Sequence, residues 1–272
     1  MKQSLILMCA VIAATWHAWQ WYLLRVTSAP EEGAALVLTI ILILACGRRE
    51  RGAQASRMTA KPPVWTASLL LVLYAAGFTL LPPIARAALA IAATLLCLFT
   101  GLVGRHPPVA FWGLVALSLP VLPSLQFTFG YALRVVSATL TVYLLRAQGL
   151  DVAQQGTFLL WRGDLLQFDA PCSGVNMLWA GLLVALMGAL TQNFGVWRTA
   201  VAVTVGIALT LAGNVLRAAS LFFVETGLLR GLPTWGHEAV GIAAFLFAAA
   251  GLMWTLHKLE PALMPANRRP SV

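Results

Sequence analysis

The sequence predicts an all-α polytopic membrane protein of about eight transmembrane helices. Three observations carry that prediction. Of 272 residues, 60% are hydrophobic and only 10% charged, with a mean hydropathy of +0.84; soluble proteins carry about 25% charged residues. The apolar residues come in continuous runs rather than in alternation, which argues against a β-barrel. The basic residues sit in short connections such as Arg48, Arg49, Arg51, Arg57 and Lys61, the pattern by which cytoplasmic loops orient membrane helices. The net charge of +9 therefore does not point to nucleic acid, which would need a contiguous basic face.

The runs fall at Ser4–Leu24, Gly33–Cys46, Val64–Leu81, Ile84–Val103, Val109–Leu122, Cys172–Leu190, Trp197–Phe223 and His237–Leu256. The first resembles a signal peptide at its start, but it continues without a convincing cleavage site and is read as a retained span. The second and fifth are short and need flanking residues or a thinned bilayer. Pro82-Pro83 and Pro107-Pro108 end the helices before them. The basic loops place both termini inside, provided that Gly130–Gln148, which carries Arg134 and Arg146, lies at the outer interface instead of crossing. Between Asp151 and Asp169, two short apolar runs flank Trp161-Arg162-Gly163-Asp164 and predict an extracytoplasmic β-hairpin.

The chemistry gathers at helix ends. Cys172 opens the sixth run, directly after Phe168-Asp169-Ala170-Pro171 and before Ser173-Gly174. A thiol there is favoured as thiolate by unpaired first-turn amides and the helix dipole. Ser173 and Gly174 let a substrate approach the backbone, so those amides can serve as oxyanion donors. The same placement also suits an inert structural cysteine. Cys9, Cys46 and Cys97 lie inside apolar runs, as small hydrophobes do.

Arg217 stands in an apolar helix, with Asn214 three residues earlier on the same face. Such an arginine costs about 2.5–3.5 kcal/mol on insertion scales and tends to mark function, although it could also snorkel at the boundary or pair with Glu225. His237 opens the last run and can exchange a proton near neutral pH. His17, His106 and His257 have no such company. Asp169 suits a cap or a loop-holding role. No cysteine pair has metal-ligand spacing, and nothing suggests a disulfide framework.

Pro171-Cys172-Ser173-Gly174, Asn214-Val215-Leu216-Arg217 and the His237–Gly241 opening resemble the exosortase/archaeosortase family of membrane transpeptidases. The resemblance is close over Tyr131–Leu256, while the earlier spans match in hydropathy only. It divides the chain into N-terminal transmembrane helices (1–125), a catalytic core (126–258) and a cytoplasmic tail (259–272). It implies a thiol protease or transpeptidase of the cytoplasmic (inner) membrane, multi-pass, with its site facing outward and no metal or cofactor. Its partners would be exported proteins bearing a Pro-Glu-Pro-like (PEP-CTERM) motif, an apolar helix and a basic tail. Membrane lipids surround it, and a lipid, a glycan or water accepts the new carboxyl end. By the same resemblance Cys172 is the nucleophile, Arg217 stabilises charge and His237 moves protons. Asn214, Ser173, Gly174 and Asp169 support them. Arg134 or Arg162 could meet the motif's glutamate. Three other readings use the same residues. An anion or proton transporter would use Arg217 and His237, but the sequence lacks the internal pseudo-symmetry such folds carry. An inactive scaffold of a polysaccharide or secretion system is the second. A serine protease using Ser173 or Ser220 with His237 is the third.

Overall fold

The computed structural model describes residues 2–28, 30–53, 64–104, 106–167, 173–228 and 236–262. Contacts within the chain divide it into two units, residues 1–121 with 189–199, and residues 122–188 with 200–272.

The first unit is built round one helix. Its members are α1 (Lys2–Ala14), α2 (Trp16–Ser28), α3 (Pro30–Ala53), α4 (Val64–Ala76), α5 (Pro83–Val103) and α6 (Val109–Leu117). All five others pack on α5, whose Ala90–Cys97 segment is buried throughout. Pro83 starts α5 at a position that has no amide to lose, and Gly104, at φ +72, ends it by donating its N–H to the Thr100 carbonyl. The first apolar run is two helices instead of one. Thr15, at the break, turns its hydroxyl back onto the Val11 carbonyl (2.7 Å), a competition that bends helices. The Tyr22 hydroxyl donates to the Ser118 carbonyl (2.8 Å) in the buried interior.

Two expectations change here. The run Val109–Leu122 gives only the nine residues of α6. Ser118 and Leu119 leave the helix ahead of Pro120, as residues before proline tend to do. Gly130–Gln148 does not form a helix of its own. It belongs to α7 (Leu122–Ala147), 26 residues long and apolar enough to cross a membrane. The arginines that lowered its apparent hydrophobicity find partners on the backbone. Arg134 Nε donates to the Gly130 carbonyl (3.3 Å) and Arg146 Nε to the Val152 carbonyl (2.7 Å).

The second unit continues from α7 into a three-stranded antiparallel sheet, then α8 (Val175–Thr191), α9 (Val196–Glu225) and α10 (Gly236–Ala262). Gly149, at φ +84, closes α7: Leu150 donates to the Leu145 carbonyl and Gly149 to that of Arg146, the two bonds of a Schellman turn. The sheet follows at once. It comprises β1 (Ala153–Gln155), β2 (Phe158–Trp161) and β3 (Asp164–Gln167), in that order. The expected hairpin is β2–β3, and β1 is an addition. Arg162 and Gly163 both take positive φ, +54 and +93, as a two-residue type I′ turn requires. The inner face, with Leu159 and Trp161, packs on Ala138, Val142 and Leu145 of α7 and Ala218, Ala219 and Phe222 of α9.

Close helix contacts in this unit use small residues, as membrane helices do. Gly181 of α8 lies against Thr210 of α9, Gly206 of α9 against Ala185, and Gly213 of α9 against Ala248 of α10. By length and composition α5, α7, α9 and Ala239–Lys258 of α10 can each cross a membrane, and Gly33–Arg48, Trp65–Ala76 and Val175–Thr191 are shorter apolar helices. Large apolar side chains such as Trp65, Phe127, Trp197 and Phe247 lie on the outside, as a lipid-facing surface requires.

Candidate active site

The start of α8 is shaped before the helix begins. Cys172 and Asp169 lie outside the described residues. The two residues after Cys172 are fixed by neighbouring helices. Ser173 is 1% exposed. Its hydroxyl donates to Gln126 Oε1 of α7 (3.2 Å) and accepts the Val175 N–H (3.3 Å), so one side chain caps α8 and ties it to α7. The Gly174 carbonyl accepts the N–H of Leu178 (2.8 Å), so the Asn176 and Met177 amides lie in the first turn, ahead of the first helical bond.

Gly174 is constrained twice. Its φ is +74, and a Cβ added there would stand 2.7 Å from Asn214 Cγ and 2.8 Å from Nδ2. No side chain fits. The Asn214 amide therefore lies directly against the backbone that leads from Cys172 into α8. Asn214 is 1% exposed, and its Nδ2 donates to Ser137 Oγ of α7 (3.0 Å). That bond ties α9 to α7 beside Gly174.

Arg217 follows Asn214 by three residues on the same face of α9. It is half-buried, and its Nε end rests on Gly241 of α10, where a Cβ would come within 3.1 Å of Nε. His237 is the second residue of α10, described as backbone only. It precedes Gly241 by four residues, which puts the two positions on one helical face.

Four of the seven residues singled out from sequence are described in full, and the fold brings them together: Ser173 and Gly174 at the start of α8, Asn214 and Arg217 along one face of α9. Gln126 and Ser137 complete the arrangement and were missed. Their only signal was polarity inside the apolar stretch of α7, too weak without knowing which helix α7 faces. Arg134 and Arg162 are engaged locally; the Arg162 guanidinium stacks over Trp161 (4.5 Å). Among the described residues, no three His, Cys, Asp or Glu side chains gather as a metal site would.

A helical membrane protein with an amide, a guanidinium and a capped helix start gathered among three helices is the class that fold and site define. A family model described as transmembrane exosortase (Exosortase_EpsH) matches residues 26–254. The chain belongs to that family. No curated protein and no solved structure matches it.

Proposed function

We propose that this exosortase is a cysteine transpeptidase of the cytoplasmic membrane that cuts the carboxy-terminal sorting segment of exported proteins on the outer side. The observation that carries the reading is the contact of Asn214 with Gly174. It joins the residues following Cys172 to the turn of α9 bearing Arg217, which in turn lies against α10 one turn beyond His237.

In this reading the Cys172 thiolate attacks the scissile carbonyl. First-turn amides of α8 and the Arg217 guanidinium stabilise the oxyanion. His237 gives its proton to the leaving amine, leaving a thioester on Cys172. An acceptor (water, or a lipid or glycan nucleophile) loses a proton to His237, attacks the thioester and releases the thiolate. The chemistry needs no metal or cofactor.

The membrane arrangement we favour has eight crossings with both termini inside. It counts α1–α2 as one broken crossing and α7 as the fifth, in place of α6, whose nine residues span only about 14 Å. Arg48–Lys61, Arg105 and Arg198 then fall inside, and the sheet, Arg217 and His237 fall at the outer side.

The test is processing of an exported protein with a motif–helix–basic tail in cells carrying wild type or Cys172→Ala, Arg217→Ala or His237→Ala at matched abundance. The wild type should give a mobility shift that each variant reduces by about a thousandfold or more. Mass analysis of the new carboxyl end identifies the acceptor. Undiminished processing by Cys172→Ala rules out the thiol mechanism.

A further inference from the structure

Among the described residues the sheet has one covered side and one open side. The side chain of Gln154 in β1 reaches α7, donating to the Val135 carbonyl (3.3 Å). Among the described residues β3 pairs only with β2. The direction in which β3 presents its backbone follows from the register. Trp161 and Asp164 flank a two-residue turn and form a hydrogen-bonded pair; Leu160–Leu165 is then a non-bonded pair, Leu159–Leu166 bonded and Phe158–Gln167 non-bonded. The same parity follows from the β1–β2 turn, where Gln155 and Phe158 flank Gly156-Thr157. The N–H and C=O groups of Leu165 and Gln167 therefore point away from β2, to the open edge. Both side chains are exposed.

A second observation lies beside that edge. A cavity of about 30 Å³ is lined by Leu166 and Gln167 of β3 and by Ala218, Leu221 and Glu225 of α9. It is the size for a small side chain or one or two waters. It lies on the inner face, the face to which a strand added next to β3 would turn the residue beside Leu166. Glu225 at its wall disfavours a carboxylate there. The chain then runs only five residues from Gln167 to Cys172, at most about 17 Å.

We propose that the open edge of β3 binds the substrate polypeptide, which adds in extended form as a fourth strand and places one small, non-acidic side chain in the cavity between Leu166 and α9. Backbone pairing with Leu165 and Gln167 supplies the hold, and the cavity supplies selectivity, the division of labour of strand-addition sites. This rests on the transpeptidase reading for the identity of the peptide, but the binding is tested without catalysis.

The experiment uses full-length Leu165→Cys protein with Cys9, Cys46, Cys97 and Cys172 replaced, in membranes with a tail-bearing exported protein. A single cysteine is moved through the stretch just ahead of the substrate's apolar helix. A short thiol crosslinker should join Cys-bearing positions of one parity at least about fivefold more than their neighbours, because alternate residues of a strand share a face. A flat profile, or none, overturns the proposal. The wild-type enzyme is assayed on the same substrate. Period-two crosslinking without wild-type processing keeps the binding site and removes the transpeptidase reading; processing without that period does the reverse. In the active enzyme, Leu165→Pro removes one outward N–H and no β2–β3 bond. It should raise KM about tenfold or more, and Leu165→Ala, which keeps the outward N–H, should raise it several-fold less. Equal effects of proline and alanine overturn the proposal. If the proline variant does not accumulate, the crosslinking period decides.

Discussion

At the scale of single residues, the contact of Gly174 with Asn214 is the tightest constraint on the site. Gly174→Ala meets both the strain of φ +74, about 1–3 kcal/mol for such conformers, and a collision with a side chain that Ser137 holds in place. Processing should fall at least about a hundredfold with the protein still inserted, measured by mobility shift against abundance. Ser137→Ala leaves the Asn214 amide intact but removes the acceptor of its Nδ2 hydrogen. A loss of about 1–3 kcal/mol in stability is expected, read as a lower melting temperature in detergent, and Ser137→Thr, which restores an oxygen, should recover most of it. The sequence pointed to Asn214 and Arg217 because polar groups in apolar helices are costly enough to be informative. It could not point to Ser137 in the same way. Serine is cheap in a membrane helix, and only the partner across the helix boundary gives it meaning.

At the scale of elements, α8, α9 and α10 are held by small residues meeting across their axes. A Cβ added at Gly181 would collide with the Thr210 side chain, so Gly181→Leu should separate α8 from α9. The expected result is loss of monodisperse protein on size-exclusion chromatography, whereas Gly195→Leu, at a position with open space around it, should behave as wild type. The hairpin was legible because turn chemistry is local: Arg162-Gly163 between apolar runs leaves few alternatives. Strand β1 was not, since three residues with two glutamines carry no period of their own and become a strand by pairing with β2. The continuity of α7 through Gly130–Ala147 was missed for a different reason. Hydropathy averages over side chains. Arg134 and Arg146 counted against the helix, although each is satisfied by a carbonyl of its own neighbourhood.

At the scale of the whole molecule, the proposed arrangement, with α7 crossing in place of α6, would keep the basic loops on one side without requiring a helix to lie flat. It predicts that a cysteine at Asp151 reacts with an impermeant maleimide added to intact spheroplasts, while one at Gly195 reacts only after the membrane is opened. Both positions are exposed in the fold. Labelling of both from the outside would overturn the eight-crossing arrangement. The gross architecture was readable from composition alone, because continuous apolar runs leave a chain few options in water. Which runs form helices long enough to cross was not, since length in sequence and length in helix differ wherever a proline or a turn intervenes.

Two helices run past the polar pair: α7 continues about 15 Å beyond Ser137 and α9 about 12 Å beyond Arg217, and the sheet is packed on both extensions. The sheet therefore stands at a set height over Asn214 and Arg217, and under the proposed transpeptidase reading the protein becomes a gauge. A substrate anchored by its own helix can present only the segment that lies at that height. Lengthening the link between its recognised segment and its helix by about four residues, some 13 Å if extended, should abolish cutting without touching any residue that the enzyme reads.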